Sequence, residues 1–193
     1  KGRCIPHAVD NTFLTPYYQR PFELGADLII HSTTKYLDGH NATVGGAVVS
    51  RSAELDEQVR FIQNASGTIV SPQVAWLTLQ GCKTLSIRID AQCDSALAIA
   101  KFLESHPKVQ NVCYPGLDSF PQRDLAKRQA SGFGTIICFE VEDGLAAGKT
   151  IMDSLGLWVL AENLGSVESM VTHPVTMTHA DVEEDERKRV GIT

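Results

Sequence analysis

The run Asp27-Leu28-Ile29-Ile30-His31-Ser32-Thr33-Thr34-Lys35-Tyr36 constrains this chain more than any other. Residues 28–30 are a short apolar stretch of the kind that forms a buried strand. The stretch stops abruptly in hydroxyl residues, and a lysine follows within one turn. In open α/β sheets, ligands bind outside the carboxyl ends of the strands. A lysine placed there stands among groups able to donate hydrogen bonds to an anion. The set suits a Schiff base with pyridoxal phosphate, Lys35 giving the imine nitrogen while Ser32 and Thr34 hold the phosphate. On this motif alone, a solvated surface-loop lysine is an equal alternative.

A second strand end bears on the choice. Cys4-Ile5-Pro6-His7-Ala8-Val9 leads into Asp10-Asn11-Thr12, another apolar stretch closed by a carboxylate. Pyridoxal phosphate is an electron sink only while its ring nitrogen is protonated, and a nearby buried carboxylate secures that proton. Asp10 is the candidate, against the plain alternative of an aspartate capping the next turn. Asp10 and Lys35 are about 25 residues apart, which fits one crossover unit of a parallel sheet.

With both halves in view, the chain resembles the Cys/Met-metabolism pyridoxal-phosphate enzymes, the family of cystathionine γ-synthase, cystathionine γ-lyase and methionine γ-lyase. The resemblance rests on Val9-Asp10-Asn11-Thr12-Phe13, Gly25-Ala26-Asp27, Ser32-Thr33-Thr34-Lys35-Tyr36, Gly39-His40 and Gly45-Gly46. It continues through Ser71-Pro72, Gly81-Cys82-Lys83-Thr84-Leu85, Tyr114-Pro115-Gly116-Leu117, Leu164-Gly165-Ser166-Val167-Glu168-Ser169, His173-Pro174 and Met177-Thr178-His179. It runs the whole length, in order. It implies an α/β fold: an aspartate-aminotransferase-like (type I) large-domain portion followed by a small α+β C-terminal domain. Relatives carry a longer stretch before Val9, with a glycine-rich phosphate loop and a stacking aromatic, and a later segment with a carboxylate-binding arginine. The chain therefore reads as a fragment of a larger enzyme.

Composition narrows the partners. The 193 residues are 43% hydrophobic and 21% charged, ordinary for one or two globular domains. A net charge of −6, without a basic stripe, argues against nucleic acid. No stretch approaches the roughly 20 apolar residues of a membrane span. The five cysteines are odd in number and scattered, which reads as reduced core thiols in a reducing, cytoplasmic compartment. The sequons at Asn41 and Asn64 are then chance matches.

Two parts are expected, 1–80 as the end of a cofactor-binding α/β domain and 81–193 as the small α+β domain. In the first, 45–50 reads as a strand and 54–64 as a helix with apolar residues at three-to-four spacing. Ser71 and Pro72 read as N-cap and first position of a helix, in a periodic segment that Pro107 ends near His106. In the second, strands are expected at 109–114, 134–141 and 158–161, extended chain at 170–173, and helices at 126–130 and 144–155. An antiparallel sheet with helices on one face accommodates that order. The run Glu183-Glu184-Asp185-Glu186 with Arg187-Lys188-Arg189 reads as a solvated helix face.

The resemblance places Glu162, Asn163 and Leu164 at the substrate. Asn163 stands where relatives usually have a serine, and an amide can still donate a hydrogen bond to a substrate carboxylate. Glu162 matches the acidic residue of cystathionine γ-lyases and would receive the distal ammonium of cystathionine; an exposed strand-end glutamate is the alternative. His31, His40, His173 and His179 read as structural, since a freed Lys35 can serve as the base. The implied activity is γ-elimination on cystathionine. γ-Replacement by a synthase or an O-acylhomoserine sulfhydrylase, methionine γ-lyase chemistry, or a purely structural fragment are the alternatives. An amino-acid substrate and a homotetramer built as a dimer of dimers are the implied partners.

Overall fold

The computed structural model describes residues 5–192. Strands β1 (Ala8–Asp10) and β2 (Leu28–Ser32) pair in parallel, with Asp10 opposite Ile30. Their crossover runs through helix α1 (Thr15–Tyr18) and a 3-10 turn, Pro21–Leu24. Strand β3 (Gly46–Ser50) adds antiparallel to β2, so β2 is the central strand of three. Along β2 the side chains alternate as a strand requires: Ile29 and His31 are buried and Ile30 is exposed. The expected crossover and strand ends are therefore present.

Helix α2 (Ala53–Ser66) starts at Ser52, whose Oγ accepts from Leu55 N at 3.3 Å. Helix α3 (Pro72–Cys82) starts as expected, with Pro72 at its head and Ser71 Oγ accepting from Val74 N at 3.2 Å. The periodic segment is not continuous. It breaks at Lys83–Thr84, where the amides turn back to Gln80 O and Gly81 O at 3.2 Å, and α4 (Leu85–Glu104) follows. The break lies where Gly81 meets the turn after β2. A Cβ on Gly81 would run into the backbone carbonyls of Asp38 and Leu37. Gly81→Ala should thus destabilise the fold by about 1–3 kcal/mol despite alanine's better helix propensity. An unchanged thermal midpoint would mean that α3 can slide away from that turn.

Helix α4 joins the two cores. Leu85 and Ile89 enter a cluster with Tyr18 and Tyr36, while Ala96 and Ala100 enter a second with Tyr114 and Leu117. These four positions recur at the spacing of one helix face. Strand β4 (Val109–Cys113) packs on α4 through Val112 and pairs antiparallel with β5 (Cys138–Val141), across helix α5 (Arg123–Gln129).

The expected strand over 134–141 begins only at Cys138. Before it, Gly134 adopts φ +77°, and its carbonyl accepts from the Tyr114 hydroxyl at 2.9 Å. Side chains thus claim backbone that a strand ladder would use. After helix α6 (Gly144–Ser154), strands β6 (Val159–Leu160) and β7 (Met170–Val171) form a separate parallel pair, so the expectation of one antiparallel sheet holds only for β4 and β5.

Helix α7 (Glu184–Arg189) is the expected charged face, with Lys188 bonded to Glu184 at 2.6 Å in the open. The expectation of core thiols fails for Cys113 and Cys138, which oppose each other on β4 and β5 and are exposed; Cys82 and Cys93 are half-buried. Cys4 lies outside the described residues. No helix among the described residues is long and apolar enough to cross a membrane.

Candidate active site

Immediately after β2, Thr33–Leu37 makes one helical turn that is interrupted at Lys35, where φ is −92° and ψ −123°. Its two ends are tied down: Thr33 N donates to Gly45 O at 2.9 Å, and Gly39 N to Lys35 O at 2.8 Å. Tyr36 points inward, 1% exposed, and its hydroxyl shares a 2.5 Å hydrogen bond with Thr135 Oγ1. With Tyr36 anchored, the neighbouring Lys35 side chain is left half-buried at the end of the strand. Its Nζ donates to Asn163 Oδ1 at 2.5 Å.

The segment carrying Asn163 is docked on the lysine turn by close packing. Gly165 has φ +85°, and a Cβ there would lie 2.8 Å from Tyr36 N. Leu164 packs into the Tyr36 cluster, so its side chain belongs to the core on this side of the site. Gln92 Nε2 donates to Ser166 O at 2.7 Å, fixing the same segment to α4. Glu162 is exposed and makes no hydrogen bond or ion pair among the described residues.

At the neighbouring strand end, Asp10 Oδ1 accepts from Thr12 N at 3.0 Å. The hydroxyl of Thr12, then its N–H, and then the charge of His31 hold the Asp10 carboxyl below its ordinary pKa, against a smaller opposing effect of burial. Asp10 is exposed among the described residues, where a buried carboxylate was expected; its ionisation is secured by hydrogen bonds rather than by enclosure. Thr12 Oγ1 also accepts from Ser32 N at 2.8 Å. One threonine thus joins the two strand ends. His31 is buried beside Asp10, and burial lowers its pKa, keeping the ring neutral near pH 7.

The phosphate candidates differ. The Ser32 hydroxyl makes no hydrogen bond among the described residues, whereas Thr34 Oγ1 accepts from Gly45 N at 3.0 Å and donates weakly to Gly45 O at 3.3 Å. Asp10, Ser32, Thr34, Lys35 and Asn163 therefore gather at one end of the β1–β2 pair. Two contributors escaped the sequence reading. Thr12 is one. The other is Arg88 on α4, whose Nη2 donates to Tyr36 O at 3.0 Å and Gly81 O at 2.8 Å, clamping the lysine turn to α3. Its only local sign was a charge inside an apolar periodic segment.

A half-buried amine, a free serine hydroxyl and a carboxylate held by hydrogen bonds thus stand at adjacent parallel strand ends. The chain belongs to the family described as Cys/Met metabolism PLP-dependent enzyme, which matches residues 1–193. It is 46% identical to a cystathionine beta-lyase of Coxiella burnetii over 100% of this chain and 50% of that protein. It is 47% identical to a cystathionine gamma-lyase of Bacillus subtilis, over 96% of this chain and 48% of the relative.

Among solved structures, cystathionine gamma synthase from Xanthomonas oryzae pv. oryzae aligns with a TM-score of 0.94 at 47% identity, covering 98% of this chain and 49% of that one. Cystathionine gamma-lyase from Lactobacillus plantarum gives 0.92 at 39% identity, over 98% and 49%. These neighbours give the covered part the type I fold. The chain spans about half the length of the relatives it matches.

The donor set fits the family's cofactor. Lys35 is bonded only to a neutral amide among the described residues, so no carboxylate holds its amine back from a carbonyl partner. Ser32 offers a free donor to phosphate, and Thr34 can exchange its weak 3.3 Å bond for a stronger charge-assisted one.

Proposed function

We propose that this chain is the lysine-bearing part of a pyridoxal-phosphate-dependent transsulfuration enzyme, and that the complete polypeptide performs γ-elimination on cystathionine. The observation that carries this reading is the convergence of Asp10, Ser32 and Lys35 at adjacent parallel strand ends, with Asn163 Oδ1 2.5 Å from the lysine amine. In this reading residues 1–80 belong to the cofactor-binding domain and 81–193 to the small α+β domain. A cytoplasmic homotetramer fits the free thiols and the apolar side chains exposed on α2 and α3, among them Phe61, Ile62, Trp76 and Leu79.

The bound cofactor supplies an electron sink for charge left on the substrate's α-carbon. The chain's own residues do the rest. Ser32 and Thr34 would hold the phosphate, and Asp10, kept ionised by Thr12, would hold the proton on the ring nitrogen. The Lys35 amine would hold the cofactor, and as a free amine it would take the substrate's α-proton and move protons for loss of the γ-substituent. The Asn163 amide beside the lysine can donate an N–H to a substrate α-carboxylate.

Glu162 sets the proposed preference. Its carboxylate can receive the distal ammonium of cystathionine, and gains nothing from methionine's neutral thioether. Replacing Glu162 by valine in the complete enzyme should lower kcat/KM for cystathionine by roughly one to two powers of ten, the weight of a charge-assisted contact that the bound substrate shields from water, while sparing methionine. Equal losses on both, or an unchanged ratio against O-succinylhomoserine plus cysteine, would favour γ-replacement or a broad-specificity enzyme. The γ-replacement reading has support in the likeness to a solved cystathionine gamma synthase.

A further inference from the structure

Three hydrogen bonds run in one direction from the lysine to the surface. Lys35 Nζ donates to Asn163 Oδ1 at 2.5 Å, Asn163 Nδ2 to Asn41 Oδ1 at 2.6 Å, and Asn41 Nδ2 to Glu168 Oε2 at 3.0 Å. A carboxamide can face either way round, but the two ends of this chain remove the freedom. An ammonium only donates, so Asn163 must turn its oxygen towards Lys35 and its NH2 away. An ionised carboxylate only accepts, so Asn41 must turn its NH2 towards Glu168 and its oxygen towards Asn163. The Ser166 hydroxyl, ahead of the Glu168 backbone and His40, keeps Glu168 below the ordinary glutamate range and therefore ionised.

The backbone is arranged for the same contact. Asn41 has φ +54°, a left-handed conformation in which asparagine is one of the few favoured residues besides glycine. The residues on either side of it, His40 and Ala42, both donate their N–H groups to Asp38 Oδ2, at 3.3 and 2.9 Å. The partner segment is attached independently, Val167 N donating to Gly39 O at 3.0 Å.

We propose that Asn41 is a positioning residue for Lys35, holding the Asn163 amide with its oxygen towards the lysine amine. The tether fixes where the amine rests. It also occupies one of the two N–H groups of Asn163, leaving the other for a substrate carboxylate. Asn41 touches neither the amine nor, in this reading, the substrate; it acts through Asn163. The catalytic meaning of the tether rests on the reading of Lys35 given above, but the tether itself does not.

The test is made on the complete polypeptide without cofactor, by trace labelling with acetic anhydride read at Lys35 by peptide mass spectrometry and normalised to Lys101 on α4. Asn41→Gly suits the left-handed backbone and removes the side chain. It should raise Lys35 labelling roughly two- to tenfold, the equivalent of one net hydrogen bond. Asn41→Asp made together with Glu168→Gln keeps the acceptor that Asn163 Nδ2 needs without setting two carboxylates face to face, and should label close to the wild type. In the loaded enzyme, Asn41→Gly should lower kcat with little change in KM. Equal Lys35 labelling in all three proteins overturns the tether, as does labelling raised alike in the glycine variant and the double variant. Retained turnover in Lys35→Ala would instead overturn the reading of the lysine and leave the labelling result standing.

Discussion

Lys35→Ala in the complete polypeptide should abolish turnover, by about four powers of ten or more, and leave the fold intact. The loss is large because two roles vanish together: the covalent hold on the cofactor and the amine that moves the substrate proton. Acid–base assistance alone is worth about two to four powers of ten, and its removal is not offset by another amine, since among the described residues no second lysine follows β1 or β2 at its end. The fold survives because Lys35 Nζ reaches only Asn163 among the described residues, while the turn is held by Tyr36, Arg88 and the Gly45 carbonyl. The measurement is paired: turnover and thermal midpoint on one preparation, with borohydride reduction to locate the cofactor. Wild-type turnover in the variant, or reduction that labels another lysine, would sink the assignment.

What the sequence revealed of the site was what lies close together along the chain. The strand ends at Asp10 and Ser32 could be read because an apolar run and an abrupt polar stop are both local, and their parallel pairing follows from the length of the crossover. The Ser71–Pro72 helix start is local in the same way. Arg88 and Asn41 could not be read so, because each acts across the fold: Arg88 reaches Tyr36 O 52 residues away, and Asn41 reaches Glu168 across 127, while Thr12 joins the strand ends through Ser32 N 20 residues on.

The misreadings have the same origin. Residues 134–137 have the composition of a strand, but the Tyr114 hydroxyl takes the Gly134 carbonyl and Thr135 is engaged by Tyr36, both tertiary contacts. The β6–β7 pair has two residues per strand, too few for any pattern to tell parallel from antiparallel. Exposure of Asp10 was missed for a related reason: a carboxylate at a strand end gives no sign of what covers it.

Asp10→Asn should cut turnover by at least about two powers of ten while KM changes far less. The asparagine amide has the same shape and can keep the Thr12 N–H bond, so the strand end should persist. It carries no charge, however, and cannot hold a proton on a ring nitrogen as an ionised carboxylate does. The pH dependence follows from the direction of the Asp10 shift. Its pKa in the folded chain lies below the ordinary aspartate value, with the Thr12 hydroxyl as the leading cause. The ionised form is therefore complete above that value and is lost only as pH falls through the lowered folded value. Asp10 should contribute no inflection to the neutral and alkaline limbs of the rate profile, and the Asp10→Asn profile should be depressed uniformly across them. Removing the Thr12 hydroxyl with Thr12→Val should move the acid limb of the wild-type profile upward in pH, because the carboxylate would then protonate more readily. Near-normal turnover in Asp10→Asn would require another group to hold that nitrogen, and His31, buried and neutral beside it, cannot supply the missing negative charge.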